Sequence, residues 1–117
     1  MRTVYTVAFL NEKFLMVFNT KRNGWEMPGG KIECQEDIVK AAKREYAEEA
    51  GYEIDIMSAR DLGYCWVCAA ELGEKICDCE MESRLFERIP EKLSFEREEY
   101  EDVVPWALRE LKQKRRR

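Results

Sequence analysis

Residues 28–51 constrain this chain more than any other stretch. Pro28-Gly29-Gly30 interrupts whatever precedes it, since that run continues neither a helix nor a regular strand. Over Glu36–Ala50, Ile38, Val39, Ala42, Tyr46 and Ala50 then recur at spacings of three and four, which predicts a helix with one buried stripe. Glu36 and Asp37 place negative charge at its N-terminus, and Gly51 supplies the C-terminal stop. Glu45, Glu48 and Glu49 stand at i, i+3 and i+4, so three carboxylates share one face. Like charges so placed repel by about 0.2–0.5 kcal/mol per pair. A hard cation among them reverses that cost; magnesium or manganese suits all-oxygen ligands and is commonly shared with phosphates. Taken alone, the triad also reads as a solvated helix face. The glycines ahead of the helix leave a carbonyl free to reach a metal, or an amide free to face phosphate. Arg44 and Glu36, about two helical turns apart, are expected to tie the loop to the helix.

Composition narrows the chemistry further. A length of 117 residues with 45% hydrophobic and 38% charged residues fits one globular domain over 1–117. There is no histidine, which excludes Ser-His-Asp triads, Cys-His pairs and HExxH zinc sites. Glutamate supplies 19 of the 24 acidic residues, and the net charge of −4 makes the domain as a whole no magnet for nucleic acid. Acidic clusters that meet phosphates need a divalent cation between them. No apolar run approaches the ~20 residues that span a bilayer, and Asn11-Glu12-Lys13 interrupts Val4–Leu10, unlike a signal peptide. A cytoplasmic protein without a membrane partner is the expectation. The five cysteines are accordingly expected to be mostly reduced thiols.

The rest of the chain reads as strands and one closing helix. Thr3–Leu10 alternates, with Tyr5, Val7 and Phe9 on one face, and pairs with Phe14–Phe18 as a β-hairpin. A polar loop over 19–24 carries Lys21 and Arg22, and Trp25–Met27 is briefly extended. Tyr52–Met57, Asp61–Ala70 and Lys75–Ile89 read as strands, the last two joined as a hairpin through Glu71-Leu72-Gly73-Glu74 and closed by Pro90. Leu93–Asp102 is expected to be a surface loop, and Val103–Arg115 a helix with Pro105 in its first turn. The class is α/β in the α+β sense, a mixed β-sheet packed between helices.

Gly30, Glu36 and Arg44-Glu45-Tyr46-Ala47-Glu48-Glu49-Ala50-Gly51-Tyr52 match G-x5-E-x7-R-E-U-x-E-E-x-G-U, with U a bulky aliphatic residue. All seven fixed positions are met over 30–52, so the chain resembles the Nudix hydrolases, also called the MutT-type family. Tyr46 and Tyr52 depart from the pattern at the two U positions, and the chain is short for the fold. The resemblance implies magnesium-dependent (or manganese-dependent) hydrolysis of a nucleoside diphosphate linked to a further group. A nucleoside triphosphate cleaved to monophosphate and pyrophosphate is the leading substrate, with nucleotide-pool sanitation as the role. It implies Gly30, Glu45, Glu48 and Glu49 as metal ligands, with a further glutamate from Glu96, Glu98, Glu99 or Glu101, of which Glu98 or Glu99 is favoured. Glu45, Glu49 and Arg44 form the catalytic set, Arg22, Gly29 and Gly30 meet substrate, and Glu36 and Gly51 are structural. Dinucleoside polyphosphates, nucleotide sugars and RNA 5′ ends are the alternative substrates, and a non-catalytic nucleotide sensor the alternative class. The protein is expected as a monomer or homodimer.

Three further features have plainer readings beside the functional ones. Cys65, Cys68, Cys77 and Cys79 are taken as buried reduced thiols, ahead of a zinc site or redox chemistry. In the expected hairpin Cys68 would face Cys77, a cross-strand disulfide under oxidising conditions. Arg109, Lys112, Lys114 and Arg115-Arg116-Arg117 form a basic tail, read as solvated ahead of an RNA or phosphate anchor. Trp25, Trp66 and Trp106 are taken as core, with Trp66 or Tyr64 as the flank of a nucleobase. No asparagine follows Asn23, which leaves Asp102 and Gln113 to read a purine edge and weakens an oxidised-guanine substrate.

Overall fold

A computed structural model describes residues 2–115. The first two strands, β1 (Thr3–Leu10) and β2 (Lys13–Asn19), form the expected hairpin with Phe9 opposite Phe14, turning through Asn11 at φ 60°. The two strands then splay apart. The gap is filled by β3 (Gly24–Glu26), which pairs with the far end of β2, and β4 (Gly29–Lys31), which pairs antiparallel with the start of β1. Gly29-Gly30 therefore does continue a strand, contrary to the sequence expectation. A Cβ on Gly29 would collide with the backbone of Val4 and Tyr5, so only glycine lets β4 lie this close to β1.

The free edge of β1 takes β6 (Cys65–Lys75) in parallel, and β6 takes β5 (Tyr52–Asp61) antiparallel. β7 (Glu82–Phe86) closes the outer edge of β2, giving a seven-stranded mixed sheet. Two helices cover it. α1 (Ile38–Ala50) packs Ala42, Tyr46 and Ala50 against Val4, Ala8, Leu15 and Val17, and α2 (Arg97–Arg115) packs Tyr100, Val103, Ala107 and Leu111 against Val7, Phe9, Met16 and Val67. Alternation along β1 thus sends its odd residues to α2 and its even ones to α1. The expected sheet between helices is what the chain forms.

α1 starts one residue after its cap: the Asp37 carboxylate accepts from the Lys40 amide at 2.8 Å. Gly51 ends it at φ 74°, donating to the carbonyls of Tyr46 and Ala47. Val39 is exposed and Ala41 buried, a shift of the expected stripe.

Four expectations fail further along. Glu71-Leu72-Gly73-Glu74 is no turn but the interior of β6, where Gly73 and Glu74 bulge opposite Glu53 and the missing side chain lets the Glu53 carbonyl approach. Cys68 consequently faces Thr6 and Ala59 in the sheet, not Cys77. Residues 76–81 carry no regular structure, so Lys75–Ile89 is not one strand. Finally, α2 begins at Arg97 rather than Val103, placing Pro105 in the helix interior. The buried stripe from Tyr100 to Leu111 and the dipole-matched Glu98 and Glu99 in the first turn outweigh the lost hydrogen bond. Among the described residues no helix is long and apolar enough to cross a membrane.

Candidate active site

The second half of α1 runs beneath β4, which brings the helix glutamates under the glycine strand. The Glu45 carboxylate lies against Gly30, where any Cβ would run into it. Glu49 accepts a hydrogen bond from the Gly29 amide at 3.2 Å. Burial raises the Glu49 carboxyl to about 7; the Gly29 bond and Arg22 oppose that rise, while Glu26 and Glu45 reinforce it. Glu45 is raised too, mainly by burial, with Arg44 pulling the other way. Glu48 points out to solvent and rests on Arg44 at 3.3 Å.

Arg44 binds the loop to the helix, as its spacing from Glu36 suggests. Its guanidinium grips Glu36 through Nε at 2.6 Å and Nη2 at 2.9 Å and donates to the Lys31 carbonyl at 3.0 Å. This bidentate contact is the main reason the Glu36 carboxyl falls to about 2. Glu36 in turn accepts from the Glu33 amide at 2.9 Å, closing the loop on itself.

Above Glu45 and Glu49 opens a cavity of about 800 Å³ between β4, α1 and the start of α2. Arg22 lies on its rim, held by both oxygens of the buried Glu26 at 3.2 Å and stacked 5.1 Å from the Phe95 ring. The opposite wall carries Tyr5, Tyr64 and Glu99. Glu99 accepts from the Tyr5 hydroxyl at 2.7 Å and from the Tyr64 hydroxyl. Burial and the Glu99 contact together raise the Tyr5 pKa. Among the described residues, Glu26, Glu45, Glu49, Glu96 and Glu99 line the cavity against two cations, Arg22 and Lys31.

The NUDIX domain family model matches residues 1–106. The chain belongs to the Nudix family. Among curated proteins it is 58% identical over 31 residues to an 8-oxo-dGTP diphosphatase of Buchnera aphidicola, covering 26% of this chain and 25% of that protein. It is 36% identical over 72 residues to the mouse 8-oxo-dGDP phosphatase NUDT18, covering 55% of this chain and 22% of that protein. The chain thus spans about a quarter of the length of these curated relatives, or less. The Bacillus subtilis pyrophosphohydrolase BsRppH shares the fold with a TM-score of 0.69 at 23% identity, over 97% of this chain and 82% of that one. A UDP-X diphosphatase does so with a TM-score of 0.72 at 16% identity, over 93% and 63%.

Of the Nudix residues marked in the sequence, Gly29, Gly30, Glu45, Glu49 and Arg22 meet at this one cavity. Glu48, Arg44 and Glu36 form the layer beside it, and Gly51 caps the helix. Glu98 is exposed and does not line the cavity; its neighbour Glu99 does, and so does Glu96. Among the described residues no three acidic or thiol side chains already converge on one point. Sequence reasoning passed over Tyr5 and Glu26, which carried no signal beyond strand alternation. Tyr64 lines the cavity, whereas Trp66 lies on the α1 face beside Val4 and under Arg2. Asp102 is paired with Arg60 at 2.8 Å.

Proposed function

We propose that this Nudix chain is a divalent-metal-dependent pyrophosphohydrolase that cleaves a nucleoside triphosphate to the monophosphate and pyrophosphate. The observation that carries the reading is the charge of the cavity, five carboxylates against two cations among the described residues. A polyphosphate entering such a site meets net repulsion that only added cations offset. The residues fit a hard metal ion: every side chain in the set presents oxygen, and the raised Glu49 carboxyl yields its proton near neutral pH. Glu45, Glu49 and the Gly30 carbonyl would hold magnesium or manganese, joined by Glu48 once it leaves Arg44 and by Glu99 from α2. Such an ion supplies neutralisation of phosphate charge and acidification of water.

The chain's own residues do the rest. Glu49 or Glu45 orients the attacking water and takes its proton. Arg22, fixed by Glu26, meets the phosphates, and the open backbone at Gly29 and Gly30 lets them approach. Tyr5, Tyr64 and Phe95 form the wall against which the nucleoside rests. Arg44 positions Glu45 and Glu48 without touching substrate.

The names of the Buchnera and mouse relatives support a nucleotide-sanitising role on oxidised guanine nucleotides. RNA 5′ ends fit less well. Arg115 and Lys112 pair with Glu71 and Glu12, near the far end of β1, about 13 Å or more from the cavity at 3.3 Å per residue; Arg116 and Arg117 lie outside the described residues. The test is incubation with magnesium and a panel of nucleoside triphosphates, their 8-oxo forms, dinucleotides, nucleotide sugars and triphosphorylated RNA, with products resolved by chromatography. Monophosphate plus pyrophosphate from one nucleotide, lost in Glu49→Gln while nucleotide binding persists, is expected. Binding without turnover by the wild type would instead make the chain a sensor.

A further inference from the structure

The Nudix site leaves two thiols unused on the other side of α1. Cys77 and Cys79 lie in the irregular segment 76–81, with their Sγ atoms 3.9 Å apart. The amides of Ile76 and Cys77 both donate to the Gly51 carbonyl, at 2.7 and 3.3 Å, while Cys79 Sγ sits 3.5 Å from the Glu48 carbonyl. The segment is thereby pinned to the helix cap on both sides of Asp78. Cys77 is exposed and Cys79 half-buried, and a second cavity of about 660 Å³, lined in part by both thiols and by Glu48 and Met81, opens over them.

We propose that Cys77 and Cys79 form a reversible dithiol–disulfide couple that exchanges with low-molecular-weight disulfides, Cys77 being the attacking thiol and Cys79 the resolving one. The inference stands apart from the hydrolase reading and does not need it. The remaining cysteines offer no competing pair. Cys65 and Cys68 are buried in β6, where burial pushes the Cys68 thiol up to about 12, and Cys34 is exposed on a distant loop. Closing the pair brings the sulfurs from 3.9 Å to about 2.05 Å. The exposed Cys77 side chain is free to make that movement while Cys79 keeps its seat.

The exchange balances in two steps. The Cys77 thiolate attacks one sulfur of the small disulfide, forming a mixed disulfide and expelling one thiolate. Cys79 then loses its proton to solvent and attacks Cys77 Sγ, expelling the second thiolate. The small disulfide is reduced to two thiols, and the protein pair is oxidised by two electrons. Glu48, Asp78 and Glu80 surround the pair; Asp78 is bound to Lys75 at 2.8 Å, and the other two carboxylates disfavour an anionic reagent.

The experiment uses the whole chain, reduced and then treated with cystamine, a cationic disulfide, or with oxidised glutathione, an anionic one. Thiols are trapped with iodoacetamide under denaturing conditions and mapped by mass spectrometry. The expected product has lost two hydrogens, alkylates at three of its five cysteines, and carries a Cys77–Cys79 bond that dithiothreitol reverses. Cystamine should react about tenfold faster than glutathione disulfide at low ionic strength. C79S should stop at a mixed disulfide on Cys77, and C77S should form the corresponding mixed disulfide on Cys79 at least tenfold more slowly. Circular dichroism establishes that both variants are folded. A mixed disulfide that persists in the wild type, a bond to another cysteine, or full alkylation of all five thiols would overturn the couple. A mixed disulfide that forms on Cys79 in C77S as fast as it forms on Cys77 in C79S would overturn the assigned order.

Discussion

Removing the charge of Glu49 should stabilise the metal-free protein above neutral pH. Its carboxyl lies at about 7 in the folded chain instead of the usual 4.5, chiefly through burial. Below 4.5 the group is protonated whether the chain is folded or not, and its effect on stability vanishes. Between 4.5 and about 7 the unfolded chain releases a proton that the folded chain retains, so stability falls as pH rises through this window and is level beyond it. At 1.36 kcal/mol per pH unit the full shift corresponds to about 3.4 kcal/mol. Glu49 is partly open to the cavity, and solvent there reduces the expected loss to about 1–3 kcal/mol. Glu49→Gln keeps an oxygen for the Gly29 amide but does not titrate. Urea unfolding in chelator at pH 5 and pH 8 should therefore show the wild type losing stability relative to the variant by that amount. Magnesium at pH 8 should restore the wild type and leave the variant nearly unchanged. Parallel stability curves for the two proteins between pH 5 and 8 would refute the burial argument. A magnesium effect of equal size on both would refute the assignment of Glu49 as a ligand.

Three other outcomes follow from the same geometry. Gly30→Ala drives a Cβ into the Glu45 carboxylate; displacement of that order costs about 100-fold in turnover, with the circular dichroism spectrum unchanged. Tyr46→Phe removes a buried hydroxyl that has no hydrogen-bond partner among the described residues, and should raise unfolding stability by about 1 kcal/mol in urea titration. The Glu36 carboxyl should titrate at about 2 by carbon-detected NMR, and Arg44→Lys, which loses the bidentate grip, should move that midpoint upward.

The parts of this fold that were legible in sequence are those fixed by local rules. The β1–β2 hairpin follows from alternation, and α1 from a 3.6-residue stripe, an aspartate cap and a terminal glycine, all within a few residues of one another. The failures share a cause, which is pairing between distant segments. Glu71-Leu72-Gly73-Glu74 has the composition of a turn, yet pairing with β5, joined by β1 at Glu71, holds it extended, and Gly73 serves the close approach of Glu53. Gly29 looked like a strand breaker because nothing local announces that β1 and β2 will splay and admit β4. Pro105 pulled the expected start of α2 too late, since the burial of Tyr100 against Val7 and Met27 is invisible without the sheet.

The site divides in the same way. The Nudix spacing places Glu45, Glu48 and Glu49 on one helix, and the fold brings Gly29, Gly30 and Arg22 to them. Spacing alone leaves open which carboxylate faces inward. Glu49 is half-buried under Gly29 while Glu48 stays on Arg44 in solvent. The opposite wall, with Tyr5, Tyr64 and Glu99, draws on three elements far apart in the chain. Once α2 starts at Arg97, Glu99 rather than Glu98 turns toward the cavity, a matter of one residue's rotation about the helix.

The central claim is that the cavity between β4 and α1 takes a divalent cation on Glu45 and Glu49. Manganese binding followed by electron paramagnetic resonance, in the wild type, in a Glu45→Gln and Glu49→Gln double variant, and in Glu98→Gln, tests it most directly. The predicted result is saturable binding in the wild type and in Glu98→Gln, with affinity lost at least tenfold in the double variant. Equal affinity in all three proteins, all folded, would place the ion elsewhere and contradict the account.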